Sequence, residues 1–364
     1  NSINYSTSKK LYQGYLNLDY IFHTMRNSTN LKQNIITEIS GFTATIGSYL
    51  IIITEVFILT SVITFLLIYN FFTSLIVFGF LFFISYIIFK LTRYKIASWG
   101  SDRLLNMEKR FKVLEEGLNS IQEIYIFQKS NYFIKNFSRY LQKFLNSSRN
   151  FIVIQNLARP TFELLGIISV MALILNLIFQ GNDISQLIAT LGLFMAASLR
   201  LLPSLNKIVS EMQHLKFNIA SVERVTDELN TINKNNKILK IENRLNLEKS
   251  IIVDQVTFFY PGTDKPALKD ISFTINKGSK FGIKGSSGSG KTTLINLILT
   301  LIKPSKGEIR VDETALKTNN ISWLKNIGYV SQNINLLDDT IEKNIAFGLE
   351  KDQIDQEKMN KAID

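Results

Sequence analysis

The 364 residues contain no cysteine, which removes a disulfide framework, a thiolate metal site and a cysteine nucleophile from consideration. Redox compartment does not follow from that absence. The chain opens with Asn1 and lacks the basic stretch and apolar core of a secretory signal, so the expectation is a processed chain or a piece of a longer one. No internal repeat or low-complexity tract stands out. Charge is scarce in particular places. Asn70 separates two apolar runs, and Gln180, Gly181, Asn182 and Asp183 separate two others, with no Lys or Arg in either turn.

What is present is unevenly distributed. The apolar fraction of 46% is ordinary for a whole chain, but the first 205 or so residues hold dense Ile, Leu and Phe runs, whereas the residues after Asn230 have the composition of a soluble α/β domain. Four runs approach the roughly 20 residues a helix needs to cross a bilayer: Ser48 to Tyr69, Phe71 to Phe89, Phe162 to Phe179 and Ile184 to Leu202. The net charge of +11 does not indicate a nucleic-acid partner, because Lys and Arg gather beside these runs. Lys90, Arg93, Lys95, Arg103, Lys109, Arg110, Arg139, Arg149 and Arg159 all lie between the second and third runs. The positive-inside rule makes that segment cytoplasmic and turns the two uncharged connections outward.

Apolar residues at alternating steps of three and four, Leu104, Met107, Phe111, Leu114, Leu118 and Ile121, and then Phe133, Phe137, Tyr140 and Phe144, predict that the helices continue into the cytosol. The stripe Ile208, Met212, Leu215, Ile219, Val222, Val225 and Leu229 predicts the same for the fourth run. A polar Asn- and Lys-rich stretch from 231 to 250 suits a linker, and strands are expected at Ile251 to Tyr260, Ile271 to Ile275 and Lys280 to Lys284.

The run Gly285-Ser286-Ser287-Gly288-Ser289-Gly290-Lys291-Thr292, followed by Thr293, satisfies the phosphate-loop pattern completely. Glycines allow successive amide N–H groups to face one phosphate chain, and the helix that follows adds its positive end. Lys291 is expected on the β- and γ-phosphates of ATP and the Thr292 hydroxyl on Mg²⁺.

Around this loop lie Val256-Thr257-Phe258-Phe259-Tyr260-Pro261-Gly262 upstream and Tyr329-Val330-Ser331-Gln332 with Thr340-Ile341-Glu342-Lys343-Asn344-Ile345 downstream. From Val256 through Gly348 the chain resembles the ATP-binding cassette family. The resemblance implies that Tyr260 stacks on adenine. It also implies that Gln332, after a buried strand, reaches Mg²⁺ and the attacking water. Lys284 departs from the apolar residue usual before the first glycine. The family's signature motif, catalytic glutamate and switch histidine are not found before Asp364, so the sequence in hand is expected to bind nucleotide weakly and not to turn it over.

The expected architecture is a membrane all-α helical bundle of exporter type over 1–230, a linker over 231–250 and a truncated α/β phosphate-loop nucleotide-binding domain over 251–364. Two spans are expected to precede Asn1, and Gly117 to Phe127 is the candidate coupling helix. A homodimer in a bacterial inner membrane, with its cassette cytoplasmic, is implied. Partners are then membrane lipid and a hydrophobic or lipid-linked substrate.

Ala196 to Ser204 and Ala158 to Glu163 resemble the branch that includes lipid-linked oligosaccharide flippases, in which Arg200 would attract a lipid pyrophosphate. Export of drugs, lipid A or peptides is the alternative within the family, and a membrane-anchored regulator without transport is the alternative outside it. Glu55, inside the first span, is open to a structural or a functional reading, since a carboxylate there is costly unless it faces protein or water.

Overall fold

A computed structural model describes residues 2–179, 184–235, 245–332, 334 and 336–363. The uncharged turn Gln180 to Asp183 and residues 236–244 of the expected linker lie outside the described residues. The chain divides into two compact units, Asn1–Ile238 and Leu239–Asp364.

The first unit is helical. Short helices α1 (Ser2–Leu16), α2 (Tyr20–Met25) and α3 (Ser28–Gln33) lead through a π-helical turn, Asn34–Glu38, into α4 (Ile39–Tyr69). After Asn70 come α5 (Phe71–Asn119), α6 (Ile121–Phe127), α7 (Ser130–Phe179), α8 (Ile184–Phe217) and α9 (Ile219–Asn235). Among the described residues four helices are long and apolar enough to span a membrane, within Ser28–Tyr69, Ser74–Asn119, Ser130–Ala172 and Ile188–Phe217. The helices α5, α7 and α8 run well beyond their apolar stretches, as the amphipathic stripes predict, and α4 begins at Ile39, ahead of the run that starts at Ser48. Leu59, Leu66, Phe78, Leu81, Phe162 and Leu201 pack α4, α5, α7 and α8 into one core.

Two details differ from the sequence expectation. The stripe from Ile208 to Leu229 is interrupted at Asn218, which separates α8 from α9. The first five residues of the expected linker are helical, because Ile232 extends the apolar face of α9 onto Leu11 and Tyr15 of α1.

Polar rungs join α4 to α8 and α9. Glu55 accepts from Ser204 Oγ at 2.7 Å and from Lys207 Nζ at 2.8 Å. Ser48 donates to Glu211 Oε2 at 2.5 Å, and Ser221 donates to Glu38 Oε2 at 2.7 Å. The two residue numbers of each hydroxyl–carboxylate rung add to one constant, which is the mark of an antiparallel seam held in a single register. Glu38 and Glu55 are almost fully buried, so the structural reading of Glu55 has direct support.

The π turn serves this seam. Gln33 Nε2 donates to Glu38 Oε1 at 2.9 Å, a contact across five residues that an α-helix, with side chains meeting at three and four, does not bring onto one face.

Small residues let the backbones close. A Cβ on Gly100 of α5 would lie 2.1 Å from the Phe217 carbonyl oxygen at the α8–α9 break. Nearby, the Phe151 and Phe217 rings stack at 4.1 Å, and the Arg103 guanidinium lies 4.9 Å from the centre of the Phe217 ring.

The second unit has an antiparallel sheet in the order β2-β1-β3-β4, formed by β1 (Ser250–Phe258), β2 (Leu268–Asn276), β3 (Lys306–Val311) and β4 (Thr314–Ala315). Val253, Val256 and Phe258 are the buried side of β1, and α10 (Lys291–Ile298) follows the sheet's first two strands. The start of β1 is held by Asp312, whose carboxylate accepts from the backbone N–H groups of Glu248, Lys249 and Ser250 at 2.7–2.8 Å. Helices α11 (Ile321–Leu324), α12 (Ile341–Ile345) and α13 (Gln356–Ile363) complete the unit. The strand expected at Lys280 to Lys284 is not formed. The segment has no ladder partner among the described residues, and Phe281 is held instead by stacking on Phe273 at 4.9 Å.

Two outcomes follow for the full-length protein in detergent. Gly100→Val forces a side chain onto a backbone carbonyl and lowers stability by about 1–3 kcal/mol, whereas Gly79→Val, whose Cβ meets nothing within 4 Å, leaves the thermal midpoint nearly unchanged. Glu55→Ala strands Ser204 and Lys207 and costs about 1–3 kcal/mol, and the exchange Glu55→Lys with Lys207→Glu recovers part of it. Equal midpoints for all of these variants in thermal scans contradict the packing described.

The phosphate-loop site

The loop from Gly285 to Gly290 connects Phe281–Lys284 to α10 without regular structure. Its curvature rests on two left-handed residues, Gly288 at φ +79° and Gly290 at φ +91°. At Gly290 glycine is required twice over, since a Cβ there would also lie 2.6 Å from the Ala267 carbonyl oxygen. The loop is thereby seated against the start of β2, with α10 opening directly behind it.

Ser286, Ser287, Gly288 and Ser289 are exposed. Lys291 arches over the loop, and its Nζ donates to the carbonyls of Gly285 at 2.9 Å and Ser286 at 2.7 Å. That places the ammonium on the concave side of the backbone, where the loop offers an anion its amides. Thr292 is exposed on the first turn of α10, whereas Thr293 is buried. The apolar side of α10, with Leu294 and Leu297 buried, anchors the helix. Lys284 is exposed, so the departure from an apolar residue before the first glycine adds a solvent-facing cation.

Tyr260 is brought to this site. Its hydroxyl and Thr293 Oγ1 share a hydrogen bond at 3.1 Å, and its ring meets Phe258 edge-on at 5.0 Å. The bond joins the end of β1 to the phosphate-loop helix across a long interval of sequence. Gln332 is exposed, and no hydrogen bond ties it to the phosphate loop among the described residues. Tyr329 and Val330, expected as the end of a buried strand, are 62% and 87% exposed and form no ladder. No strand among the described residues flanks them, which leaves their apolar side chains without a sheet to join.

In the first unit, α6 coincides with most of the candidate coupling segment, but Gly117 to Asn119 still belong to α5. Tyr125, Ile126 and Phe127 project from α6 with little cover. Arg200 is exposed on α8. Sequence reasoning missed Lys207, Ser204 and Glu38 as partners. The constant register between the Glu- and Ser-bearing positions of α4 and α8–α9 was the signal available.

Comparison with known proteins agrees with this arrangement. The family described as ABC transporter transmembrane region matches residues 3–199, and that described as ABC transporter matches residues 268–364. Tyr260 lies just ahead of the second match. A protein named ATP-dependent lipid A-core flippase from Methylobacillus flagellatus is 27% identical over 256 residues, covering 70% of this chain and 43% of the relative. One of the same name from Alkalilimnicola ehrlichii is 29% identical over 244 residues, covering 65% of this chain and 40% of the relative.

Over a shorter stretch of 97 residues, the flippase of that name from Wigglesworthia glossinidia brevipalpis is 45% identical, covering 26% of this chain and 17% of the relative. The chain spans less than half the length of these relatives. With a matched membrane region over more than half of its residues and a matched cassette region behind it, the chain is an integral, multi-pass membrane protein and belongs to the ABC transporter family.

Proposed function

We propose that the protein works as a half-transporter that uses ATP to export or flip an amphipathic, lipid-linked substrate. The observation that carries the reading is the joining, in one chain, of helices long enough to span lipid to a loop that fits a triphosphate. The fit rests on two left-handed glycines, an inward lysine and the exposed Thr292 on the first helical turn.

ATP is bound by the amides of Gly285 to Gly290, with Lys291 exchanging its two loop carbonyls for β- and γ-phosphate oxygens. Mg²⁺ supplies, when bound, the charge that neutralises those oxygens, and Thr292 and Gln332 are the residues that would hold it. Tyr260, oriented by Thr293, offers its ring to adenine. ATP hydrolysis is then coupled to reorientation of the spans through α6, whose bare apolar tip is suited to contact a cassette. Two such chains, with the cassette side cytoplasmic in keeping with the distribution of Lys and Arg, make the working dimer in a bacterial inner membrane.

For substrate, the names of the relatives point to lipid A core, and the Ala196 to Ser204 run points to lipid-linked glycans. Both are amphipathic and carry phosphate. Arg200, exposed at the end of its span, is assigned to attract that phosphate.

The test is translocation of a fluorescent lipid-linked glycan and ATP hydrolysis by the full-length protein in proteoliposomes. Lys291→Ala is expected to lower hydrolysis and translocation together by at least about a hundredfold, as loss of a charge contact to the transferred group requires. Arg200→Ala is expected to slow translocation while sparing basal hydrolysis. Undiminished hydrolysis in the lysine variant contradicts the nucleotide site, and undiminished translocation in the arginine variant contradicts the phosphate contact alone.

A further inference from the structure

The helix from Ser28 to Tyr69 is continuous, but its hydrogen-bond ladder widens to π over Asn34–Glu38, ahead of the apolar run that opens at Ser48. A π turn takes up one residue more than the α turn it replaces, and such turns gather at functional sites. Ser28–Gln33 therefore stands one residue out of phase with α4. The surplus shows at Ile36, which is 73% exposed, whereas Asn34 and Glu38 on either side are almost fully buried.

The turn is held from two directions. Toward α5, Asn30 Nδ2 donates to Glu108 Oε1 at 2.8 Å and Lys32 Nζ donates to Glu115 Oε1 at 3.4 Å. Toward α9, Glu38 accepts from Ser221, whose Oγ in turn accepts from Arg103 at 3.2 Å. Inside the turn Gln33 meets Glu38, and Asn34 Nδ2 donates to Tyr15 Oη at 3.1 Å. The residues before the turn thus answer to α5, which leads to α6. The residue that closes it answers to α9, which precedes the linker to the cassette.

This register leaves bonds unmade. Thr29 Oγ1, Gln33 Oε1 and Asn34 Oδ1 are buried without a hydrogen-bond partner, all on the stretch that the turn displaces. A buried polar atom in that condition costs free energy. Because the three are closed off from the surface, a diffusing ligand does not reach them, and a rotation of the stretch does release them. Space for it lies alongside. A cavity of about 370 Å³ separates Gln33, Ile36 and Thr37 from Phe111, Leu114 and Leu118 of α5.

We propose that the Asn34–Glu38 turn is a two-position register switch of the transport cycle. In the π form α3 is fastened to α5. In the α form Ser28–Gln33 rotates about the axis of α4 by one residue's step, roughly 100°, and Asn30 and Lys32 leave Glu108 and Glu115. The Glu38–Ser221 rung stays, so the helix that leads to α6 is freed from α3 while α4 remains fastened to α9. The role in transport rests on the function proposed above; the two registers belong to α3 and α4 alone.

The experiment uses the absence of native cysteine. Spin labels on Ser28→Cys and Glu116→Cys in the full-length protein, at exposed positions of α3 and α5, read the register as a separation. Wild type is expected to give two separations, in a ratio that changes when ATP and Mg²⁺ are added. Deleting Ile36 removes the surplus residue, brings Gln33 and Glu38 to the spacing that shares one α-helical face, and keeps Ser28–Gln33 on its present side. That variant is expected to fold with a thermal midpoint no lower than wild type and to give one separation. Its basal hydrolysis is expected to persist while translocation falls about tenfold, the scale of an ordinary coupling between sites.

One separation in wild type, or two in the deletion variant, overturns the switch whether or not ATP is hydrolysed. A deletion variant that translocates like wild type overturns it too, as does one that fails to fold, since the extra residue would then be needed for the resting contacts. Two separations in a wild-type protein that neither hydrolyses ATP nor moves lipid uphold the two registers and contradict the proposed function.

Discussion

Helices in lipid gain nothing from the hydrophobic effect by touching one another, because the tails they displace are as apolar as leucine. Register must come from directional contacts and close approach. In this protein the seam between α4 and α8–α9 supplies both. Three carboxylates, Glu38, Glu211 and Glu55, each meet a serine across the seam at one constant register. Sliding the helices by one residue would strand three buried or half-buried acids at once, a far larger penalty than any loss of apolar contact. The π turn at Asn34–Glu38 is part of the same arrangement, because it turns Glu38 toward Gln33 and Ser221 together.

Other contacts of the bundle have a different character. The α5 and α7 helices pack along most of their length, but the side-chain contacts that join them are apolar or cation–π, with Arg110 over Phe144 at 4.5 Å and Lys109 over Tyr140 at 5.9 Å. Such contacts tolerate sliding and rotation better than a buried ion pair does. Along α4 the bundle is held by chemistry that specifies one position, and along α5–α7 by chemistry that specifies a surface. Between α7 and α8 the close approach at Gly166 leaves a groove on one side.

The cassette unit follows the opposite principle. Its site is made of backbone, and side chains matter chiefly where they must be missing, as at Gly290, or must reach back, as at Lys291. Tyr260 shows how a residue distant in sequence is brought to that backbone: β1 ends beside α10, and one hydrogen bond to Thr293 sets the ring.

The amino-acid sequence alone determined the four apolar helices, their extension past the apolar runs, and the phosphate loop with its lysine. Each is a local property: a run length, a step of three and four, a contiguous eight-residue pattern. Tyr260 was legible only through its spacing to that loop. Lys280 to Lys284 reads as a strand because alternation is visible in sequence, but a strand needs a neighbour to bond, and none is available among the described residues. Gln332 reads as a ligand by position, yet its place depends on a segment whose apolar residues join no sheet among the described residues.

Tertiary structure decided the fate of Glu55, which an apolar run presents as an isolated charge and the fold presents as one rung of a seam. It also decided the break at Asn218 and the need for Gly100. The physical reason is the same in each case: register, close approach and ion pairing are relations between two helices, and a single helix carries only half of each.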